Sequence, residues 1–263
     1  MHPQQVTTIL QTYNLAIGYV TRKDTELVAK DINLSLEKGQ LVSILGKNGA
    51  GKSTLLRTLS KVQPKLSGTI EMYGENIENL TNDKLAKKMS LVLTERIPDN
   101  NLTVYELIAL GRQPYTNWIG KLTPTDYQYI DKAIAQTHLE NILAKKHYEL
   151  SDGQIQKVMI AKSLAQNTEI ITLDEPTAHL DIENKVEIFK LLKKLTVKLK
   201  KTVLISTHEI HLALQLSDSL WLMQGQSVSS GSTEELIGNG SVSKLFDSGH
   251  IHFDRNSGQF IFD

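Results

Sequence analysis

The sequence predicts an α/β fold built around a parallel β-sheet. Short apolar runs typical of buried strands occur at residues 41–45, 169–174 and 202–207. A long amphipathic segment with helical spacing, residues 184–199, separates the last two runs. Alternation of strand and helix favours a sheet whose strands run in the same direction.

The N-terminal part adds further strands. Residues 6–45 have mostly strand character, and DINLSL, residues 31–36, alternates apolar and polar positions as a half-buried strand does. GTIEMYG, residues 68–74, is a strand bounded by glycines. This region therefore predicts a β-rich segment before and after the first buried strand.

From about residue 81 the pattern becomes helical. VYELIAL, residues 104–110, and YQYIDKAI, residues 127–134, carry helical spacing. The helical stretch predicts an inserted subdomain at roughly residues 82–160. Near the C-terminus, residues 248–254 and 258–262 predict two short strands joined by a turn.

Composition narrows the function classes. The 263 residues include 29 Lys plus Arg, 29 Asp plus Glu and no cysteine, so disulfides, thiolate metal sites and a cysteine nucleophile are excluded. Zero formal net charge gives no support for binding to nucleic acid. MHPQQVTT lacks the features of a secretory signal, and no apolar run is long enough to cross a bilayer. We expect any membrane role to act through a partner.

GKNGAGKST matches the phosphate-loop pattern of Gly, four residues, Gly, Lys and Ser or Thr. It follows a predicted strand and precedes a predicted helix, which is the context that the pattern requires. Backbone N–H groups of such a loop converge on phosphate oxygens. We expect Lys52 to bridge the β- and γ-phosphates of a nucleotide and Ser53 to bind magnesium. The loop consists of Gly46, Lys47, Asn48, Gly49, Ala50, Gly51, Lys52, Ser53 and Thr54.

Polar residues follow two of the buried strands. Asp174 and Glu175 end the run IITLDE, and His208 follows TVLIST. In an open parallel sheet, chemistry gathers at the carboxyl ends of the strands. Asp174 is a candidate magnesium ligand, Glu175 a candidate to orient or deprotonate an attacking water, and His208 a candidate hydrogen-bond donor to the γ-phosphate. An acidic surface turn and a structural histidine are the alternatives.

ELSDGQ, residues 149–154, precedes another helical run. Ser151 is a good N-cap, and the absence of a side chain at Gly153 leaves backbone N–H groups open to an anion. Helix capping alone is the simpler interpretation of this segment, and the segment can both cap the helix and bind an anion.

Taken together, these motifs resemble those of the ATP-binding subunits of ABC transporters. Residues 46–54 resemble Walker A, residues 170–175 Walker B, LSDGQ (residues 150–154) the signature motif, and HLD (residues 179–181) the D-loop. The resemblance covers residues 10–236. It implies a P-loop NTPase (RecA-like) core with an N-terminal antiparallel β subdomain and an inserted α-helical signature subdomain.

The resemblance also implies one ABC ATPase domain over residues 6–263. Its core and β subdomain would span about 6–81 and 161–236, its helical subdomain about 82–160, and a C-terminal extension 237–263.

In that family, two subunits form a head-to-tail dimer that encloses two ATP molecules between them. Each ATP is bound together with Mg²⁺. The resemblance implies that Tyr19 stacks on adenine and that the signature and D-loop residues reach the nucleotide of the second copy. Those residues are Ser151, Gly153, Gln154 and Asp181.

Two positions depart from the family pattern. Asp152 replaces the first glycine of the signature motif, which adds a negative charge near triphosphate. Glu95 occupies the place of the usual Q-loop glutamine and loses an amide donor, while it can still bind magnesium or its water.

NLTVYELIALGRQPY, residues 101–115, is similar to the ATPases of iron–siderophore, heme and cobalamin importers. That similarity implies permease partners, an indirect link to a substrate-binding protein, and a peripheral position at the cytoplasmic face of the membrane. Trp118 and Ile119 would either contact the permease or belong to the subdomain core. Alternatives are another ABC cargo, a non-transport ABC ATPase acting on ribosomes or DNA, and a module that binds nucleotide without hydrolysis.

Overall fold

The computed structural model describes residues 7–22, 24–93, 101–246, 251–254 and 259–262. The strands in chain order are β1 Thr8–Val20, β2 Thr25–Ile32, β3 Ser35–Glu37, β4 Leu41–Gly46, β5 Ser67–Met72, β6 Glu75–Asn76, β7 Met89–Val92, β8 Ile170–Asp174, β9 Thr202–Ser206, β10 Ser219–Gln224, β11 Ser227–Ser232, β12 Ile251–Asp254 and β13 Gln259–Phe262. The α-helices are α1 Lys52–Leu59, α2 Asn82–Ala86, α3 Val104–Ala109, α4 Pro124–Thr137, α5 Asp152–Ala165, α6 Ile182–Leu199, α7 Ile210–Leu216, α8 Thr233–Gly238 and α9 Ser241–Phe246.

A six-stranded sheet forms the centre of the fold, in the order β11-β10-β4-β9-β8-β7. All its neighbours pair in parallel except β10 and β11, which form an antiparallel hairpin. Every residue of β4, β8 and β9 is buried, as their continuous apolar sequences predict. The predicted parallel α/β core is confirmed.

The N-terminal strands form a separate sheet in the order β2-β1-β5-β6, with β3 also paired to β1. All of these pairs are antiparallel. The apolar side chains of this sheet pack on the leucines of α1. The antiparallel β subdomain predicted from the family resemblance is therefore present.

The predicted single strand at residues 31–36 is wrong in one respect. β2 ends at Ile32 and β3 begins at Ser35, and just before this break, inside β2, Asp31 adopts a positive φ of 53°. The Asn33 side chain holds this break, because its amide donates to Asp31 O at 3.0 Å and its Oδ1 accepts from Asn14 N at 2.9 Å. The alternating burial nevertheless continues across the break, since Ile32, Leu34 and Leu36 are all buried.

Helices α3, α4 and α5 form the helical subdomain. At its centre the buried Arg112 donates from Nε to Asp126 Oδ1 at 2.8 Å, and from a guanidinium nitrogen to Ala165 O at 2.7 Å. The guanidinium lies over the rings of Tyr115 and Tyr129, at 4.0 and 4.5 Å from their centroids. Residues 101–115 therefore contribute the side chains of Arg112 and Tyr115 to the packing between α4 and α5.

Gly111 allows that packing. A Cβ atom at residue 111 would lie 2.2 Å from Lys162 O on α5. Only a glycine lets the segment after α3 approach the backbone of α5 this closely.

The exact division of the chain into subdomains stays a prediction. Residues 89–92 fall inside the predicted helical stretch 82–160, yet they form β7, the edge strand paired with β8. The predicted C-terminal strands correspond to β12 and β13, which pair antiparallel. Phe253 on β12 is buried against a cluster that includes Leu245 of α9.

Candidate functional site

The phosphate loop joins β4 to α1. Its geometry depends on two glycines with positive φ, 75° at Gly49 and 96° at Gly51. A Cβ atom on Gly51 would lie 2.2 Å from Val28 Cγ1, so a side chain there is excluded by contact as well as by φ. The loop thus closes tightly and leads directly into the N-terminus of α1.

Lys52 is the first residue of α1 and is buried, with only 4% of its surface exposed. Its ammonium donates to Gly46 O at 3.1 Å and to Lys47 O at 3.4 Å. Burial lowers the pKa of Lys52, while the nearby carboxylates of Glu175 and Asp174 raise it. A desolvated cation inside a loop of backbone amides is a site for an anion.

Asp174 lies at the carboxyl end of β8 and is buried. Its Oδ1 accepts from Ser53 Oγ at 2.8 Å and from Ser206 Oγ at 2.6 Å. The Ser206 hydroxyl also accepts from the backbone N–H of Glu175 at 2.9 Å. Ser206 therefore connects both acidic residues, a role that the sequence analysis missed. The available signal was its position two residues before His208, at the end of a buried strand.

Glu175 and His208 come from neighbouring strand ends. Glu175 has a positive φ of 46°, and its Oε1 lies 2.7 Å from His208 Nε2. The same carboxylate oxygen is 3.9 Å from Lys52 Nζ, and Lys52 Nζ is 3.2 Å from His208 Nε2. The structure brings these three predicted residues to one point.

An open cleft of about 420 Å³ lies over the phosphate loop. Tyr19 forms part of its wall and shares a hydrogen bond of 2.7 Å between its hydroxyl and Thr54 Oγ1. Glu26 and Val28 on β2 were not anticipated from the sequence, since no motif marks them. The lining residues are Tyr19, Glu26, Val28, Asn48, Gly49, Ala50, Gly51, Lys52, Ser53, Thr54, Glu175 and His208.

The signature residues are not among those that line this cleft. Ser151 caps α5 and forms a reciprocal capping box with Gln154: Ser151 Oγ accepts from Gln154 N at 3.3 Å, and Ser151 N donates to Gln154 Oε1 at 3.1 Å. Asp152 is exposed, and Gly153 is buried. Asp181 caps α6 and is likewise absent from the cleft wall.

Three further positions were predicted from the sequence, namely Glu95, Trp118 and Ile119. Glu95 lies outside the described residues. Trp118 and Ile119 are exposed by 94% and 68%, so they do not belong to the subdomain core. Among the described residues, no helix has both the length and the apolar character to cross a membrane.

A parallel sheet with a phosphate loop after one strand and an acidic pair after another defines a P-loop nucleoside-triphosphatase. The family model described as "ABC transporter" matches residues 29–178. The chain belongs to the ABC transporter family, as its ATP-hydrolysing component coupled to transport.

Two relatives illustrate the similarity. An ABC transporter ATP-binding protein from Methanocaldococcus jannaschii is 36% identical over 253 residues, covering 96% of this chain and 86% of the relative. The petrobactin import ATP-binding protein from Bacillus subtilis is 39% identical over 223 residues, covering 84% of this chain and 88% of the relative.

Solved structures support the same assignment. A metal-chelate type ABC transporter in an inward-facing conformation superimposes with a TM-score of 0.80 and 27% identity, covering 94% of this chain and 90% of that one. A dimeric ATP-binding cassette in a post-hydrolysis state with ADP and Pi gives a TM-score of 0.73 and 28% identity, covering 86% of this chain and 99% of that one.

Proposed function

We propose that the chain powers the uptake of an iron-chelate-type substrate, such as a siderophore, heme or cobalamin, through a membrane permease. The observation that carries this proposal is the 39% identity with a petrobactin import ATP-binding protein over 84% of this chain. The superposition on a metal-chelate type transporter supports the same class of cargo.

ATP would bind in the cleft above the phosphate loop. Lys52 and the backbone amides of residues 46–54 would hold the β- and γ-phosphates, and the Tyr19 ring would stack on adenine. Lys52 donates to carbonyl oxygens of its own loop, at 3.1 and 3.4 Å. Phosphate oxygens would replace those acceptors, and a negatively charged ligand would compensate the burial of this ammonium.

Ser53 and Asp174 fit a magnesium ion. They offer a hydroxyl and a carboxylate, the hard oxygen donors that Mg²⁺ prefers, and these lie side by side with 2.8 Å between Ser53 Oγ and Asp174 Oδ1. Mg²⁺ commonly takes one or two protein ligands and completes its shell with water and phosphate oxygens. When bound, the ion would neutralise developing charge on the phosphates. Glu95 stays a proposed additional ligand.

Glu175 would orient or deprotonate the attacking water, and His208 would contact the γ-phosphate. The 2.7 Å contact between their side chains shows that both reach the same point. A γ-phosphate placed beside His208 would draw the imidazole away from Glu175 and release that carboxylate for the water. Hydrolysis would then depend on the triphosphate being present.

A second copy of the chain would complete each site. Ser151, Gly153, Gln154 and Asp181 lie outside the cleft of their own chain, which supports a role toward the nucleotide of a partner. The N-terminus of α5 would supply partial positive charge to that nucleotide. Asp152 is exposed, so water can screen its carboxylate.

The permease would contact the helical subdomain at the inner face of the membrane. The exposed apolar side chains of Trp118 and Ile119 support a contact surface there, since large apolar groups at this level of exposure favour a partner. A substrate-binding protein would act through the permease. We propose no contact with nucleic acid, in keeping with the zero net charge.

The experiment is a pull-down of the tagged chain from gently solubilised native membranes, with the co-purifying proteins identified by mass spectrometry. We expect a permease with several membrane spans, together with a protein that binds an iron chelate. Ribosomal or DNA-repair proteins without a permease would contradict the transport function.

A matched pair of variants sharpens the pull-down. Trp118→Ser should lose the permease, because it removes an aromatic side chain that is 94% exposed. Val197→Ser removes an apolar side chain of α6 that is 56% exposed, and should keep the permease. Equal recovery with both variants would rule out Trp118 as a permease contact.

A further inference from the structure

The first turn of α6 links two motifs of the proposed dimer interface. Asp181 caps this helix, with its Oδ1 accepting from the backbone N–H of Asn184 at 2.8 Å. The Asn184 side chain bonds the same carboxylate, since its Nδ2 donates to Asp181 Oδ2 at 2.8 Å. The backbone bond holds the Asp181 carboxylate in place, and the bond from Nδ2 orients the Asn184 amide on it.

The fixed amide lies against the signature turn, residues 151–154. A Cβ atom on Gly153 would be 2.6 Å from Asn184 Oδ1 and 2.8 Å from its Cγ. The Asn184 side chain thus fills the space that a side chain at residue 153 would need. Gly153 is buried by this contact although it lies in the first turn of a helix.

The position of the signature turn has one further support on α6. One turn along the two helices, Lys157 Nζ lies 2.6 Å from Glu187 Oε1. Glu187 is 56% exposed, and exposed ion pairs contribute little. Asn184, by contrast, packs closely against the turn itself.

We propose that Asn184 is a positioning residue that sets the spacing between the signature turn and Asp181. The two motifs then reach the nucleotide of the partner together. This inference rests on the proposed function, in which both motifs close over ATP bound by a second copy. Asn184 does not line the cleft of its own chain, so it acts on dimer closure and not on the first binding of ATP.

The test measures ATP-driven dimerisation in a Glu175→Gln background, which slows hydrolysis. Dimer is quantified by sedimentation across a series of ATP concentrations, and the affinity of single subunits is measured separately with a fluorescent ATP analogue. Adding Asn184→Ala should raise the ATP concentration needed for half-maximal dimer by roughly tenfold, the equivalent of one hydrogen bond to a charged group. The affinity of the single subunit should not change.

Glu187→Ala is the matched control. Glu187 lies on α6, as Asn184 does, and contacts α5 of the same chain one turn further along. It should leave the dimerisation curve in place. Asn184→Asp is a second variant that keeps the side-chain size. It puts a carboxylate in place of the amide that now donates to Asp181 Oδ2, so its shift should be at least as large as that of Asn184→Ala.

The outcomes separate the inference from the proposed function. A shift with both Asn184 variants and none with Glu187→Ala supports the positioning role. Equal dimerisation curves for Asn184→Ala and Glu187→Ala would overturn the positioning role of Asn184 and leave the ATP-sandwich dimer unaffected. Failure of the Glu175→Gln protein itself to dimerise with ATP overturns the sandwich, and the positioning role with it.

Discussion

Glu175 Oε1 lies 2.7 Å from His208 Nε2, with Lys52 Nζ within 3.9 Å of the same carboxylate oxygen. The pair joins the carboxyl ends of two adjacent parallel strands, β8 and β9. The backbone of Glu175 turns toward this point through a positive φ of 46°. The proposed base and the proposed phosphate contact therefore lie side by side at one edge of the sheet.

The first prediction concerns Glu175. Glu175→Gln should reduce ATP turnover by roughly 100-fold or more, since a positioned general base contributes about that much. ATP affinity should persist, because Lys52 and the loop amides are untouched. Phosphate release at saturating ATP measures turnover, and equilibrium binding measures affinity.

Glu209→Gln serves as the comparison for that variant. Glu209 is also an acidic residue next to His208, but it pairs with Lys185 at 2.6 Å. Its loss should affect turnover far less. Similar turnover in the two variants would remove Glu175 from its proposed role.

The second prediction concerns Lys52. Lys52→Met keeps the length of the side chain and removes its charge, so ATP affinity should fall roughly 10- to 100-fold. Burial lowers the pKa of this lysine, which indicates that the charged ammonium reduces the stability of the fold when no anionic ligand is bound. The nucleotide-free Met variant should therefore be at least as stable as the natural protein.

Calorimetric titration with ATP measures the affinity, and thermal unfolding without nucleotide measures the stability. A large loss of thermal stability together with lost binding would indicate a structural role for Lys52. Unchanged affinity would contradict the phosphate contact directly.

The third prediction concerns Gly111. Gly111→Ala should lower the free energy of unfolding by about 1–3 kcal/mol, because the new Cβ would overlap Lys162 O. Gly238→Ala is a matched control in α8, where an added Cβ meets no atom within 4 Å. That control should be neutral or slightly stabilising, since alanine favours a helix. Urea denaturation of both variants distinguishes the contact from a general effect of replacing glycine.

The fourth prediction is a pH dependence at Asp126. Burial raises the pKa of this carboxyl group, but hydrogen bonds from Thr123 and Arg112 outweigh it and hold the pKa below its usual value. The unfolded state then binds the proton more readily, so the carboxylate stabilises the fold above the unfolded pKa. This contribution is lost as pH falls through the folded pKa.

Asp126→Asn should therefore cost about 1–3 kcal/mol near neutral pH, and the difference from the natural protein should shrink as the pH falls below the ordinary aspartate pKa of about 3.9. Asp131→Asn, at an exposed position on the same helix, should give little difference at either pH. Denaturant titrations at several pH values provide the test. A difference that stays constant with pH would contradict the pKa direction.

Contiguous motifs were accessible from the sequence. The phosphate loop lies within residues 46–54, and its glycines and lysine act through local backbone geometry. The continuous apolar runs of β4, β8 and β9 predict buried parallel strands, and the ends of such strands meet at one edge. That rule was enough to expect Asp174, Glu175 and His208 in one place.

Other features required the folded chain. Ser206 is one hydroxyl residue among many until β9 is placed beside β8, where it bonds Asp174 and the backbone of Glu175. At the break between β2 and β3 the Asn33 side chain bonds Asp31 O and Asn14 N, contacts that an alternating pattern does not reveal.

The sequence by itself determined the fold class, the family and the phosphate loop, because these depend on local periodicity and on residues adjacent in the chain. Only the tertiary structure decided that Asn184 fills the space beside Gly153 and that Arg112 contacts the rings of Tyr115 and Tyr129. These contacts join residues from separate elements. Their existence depends on how closely those elements pack, which no single segment encodes.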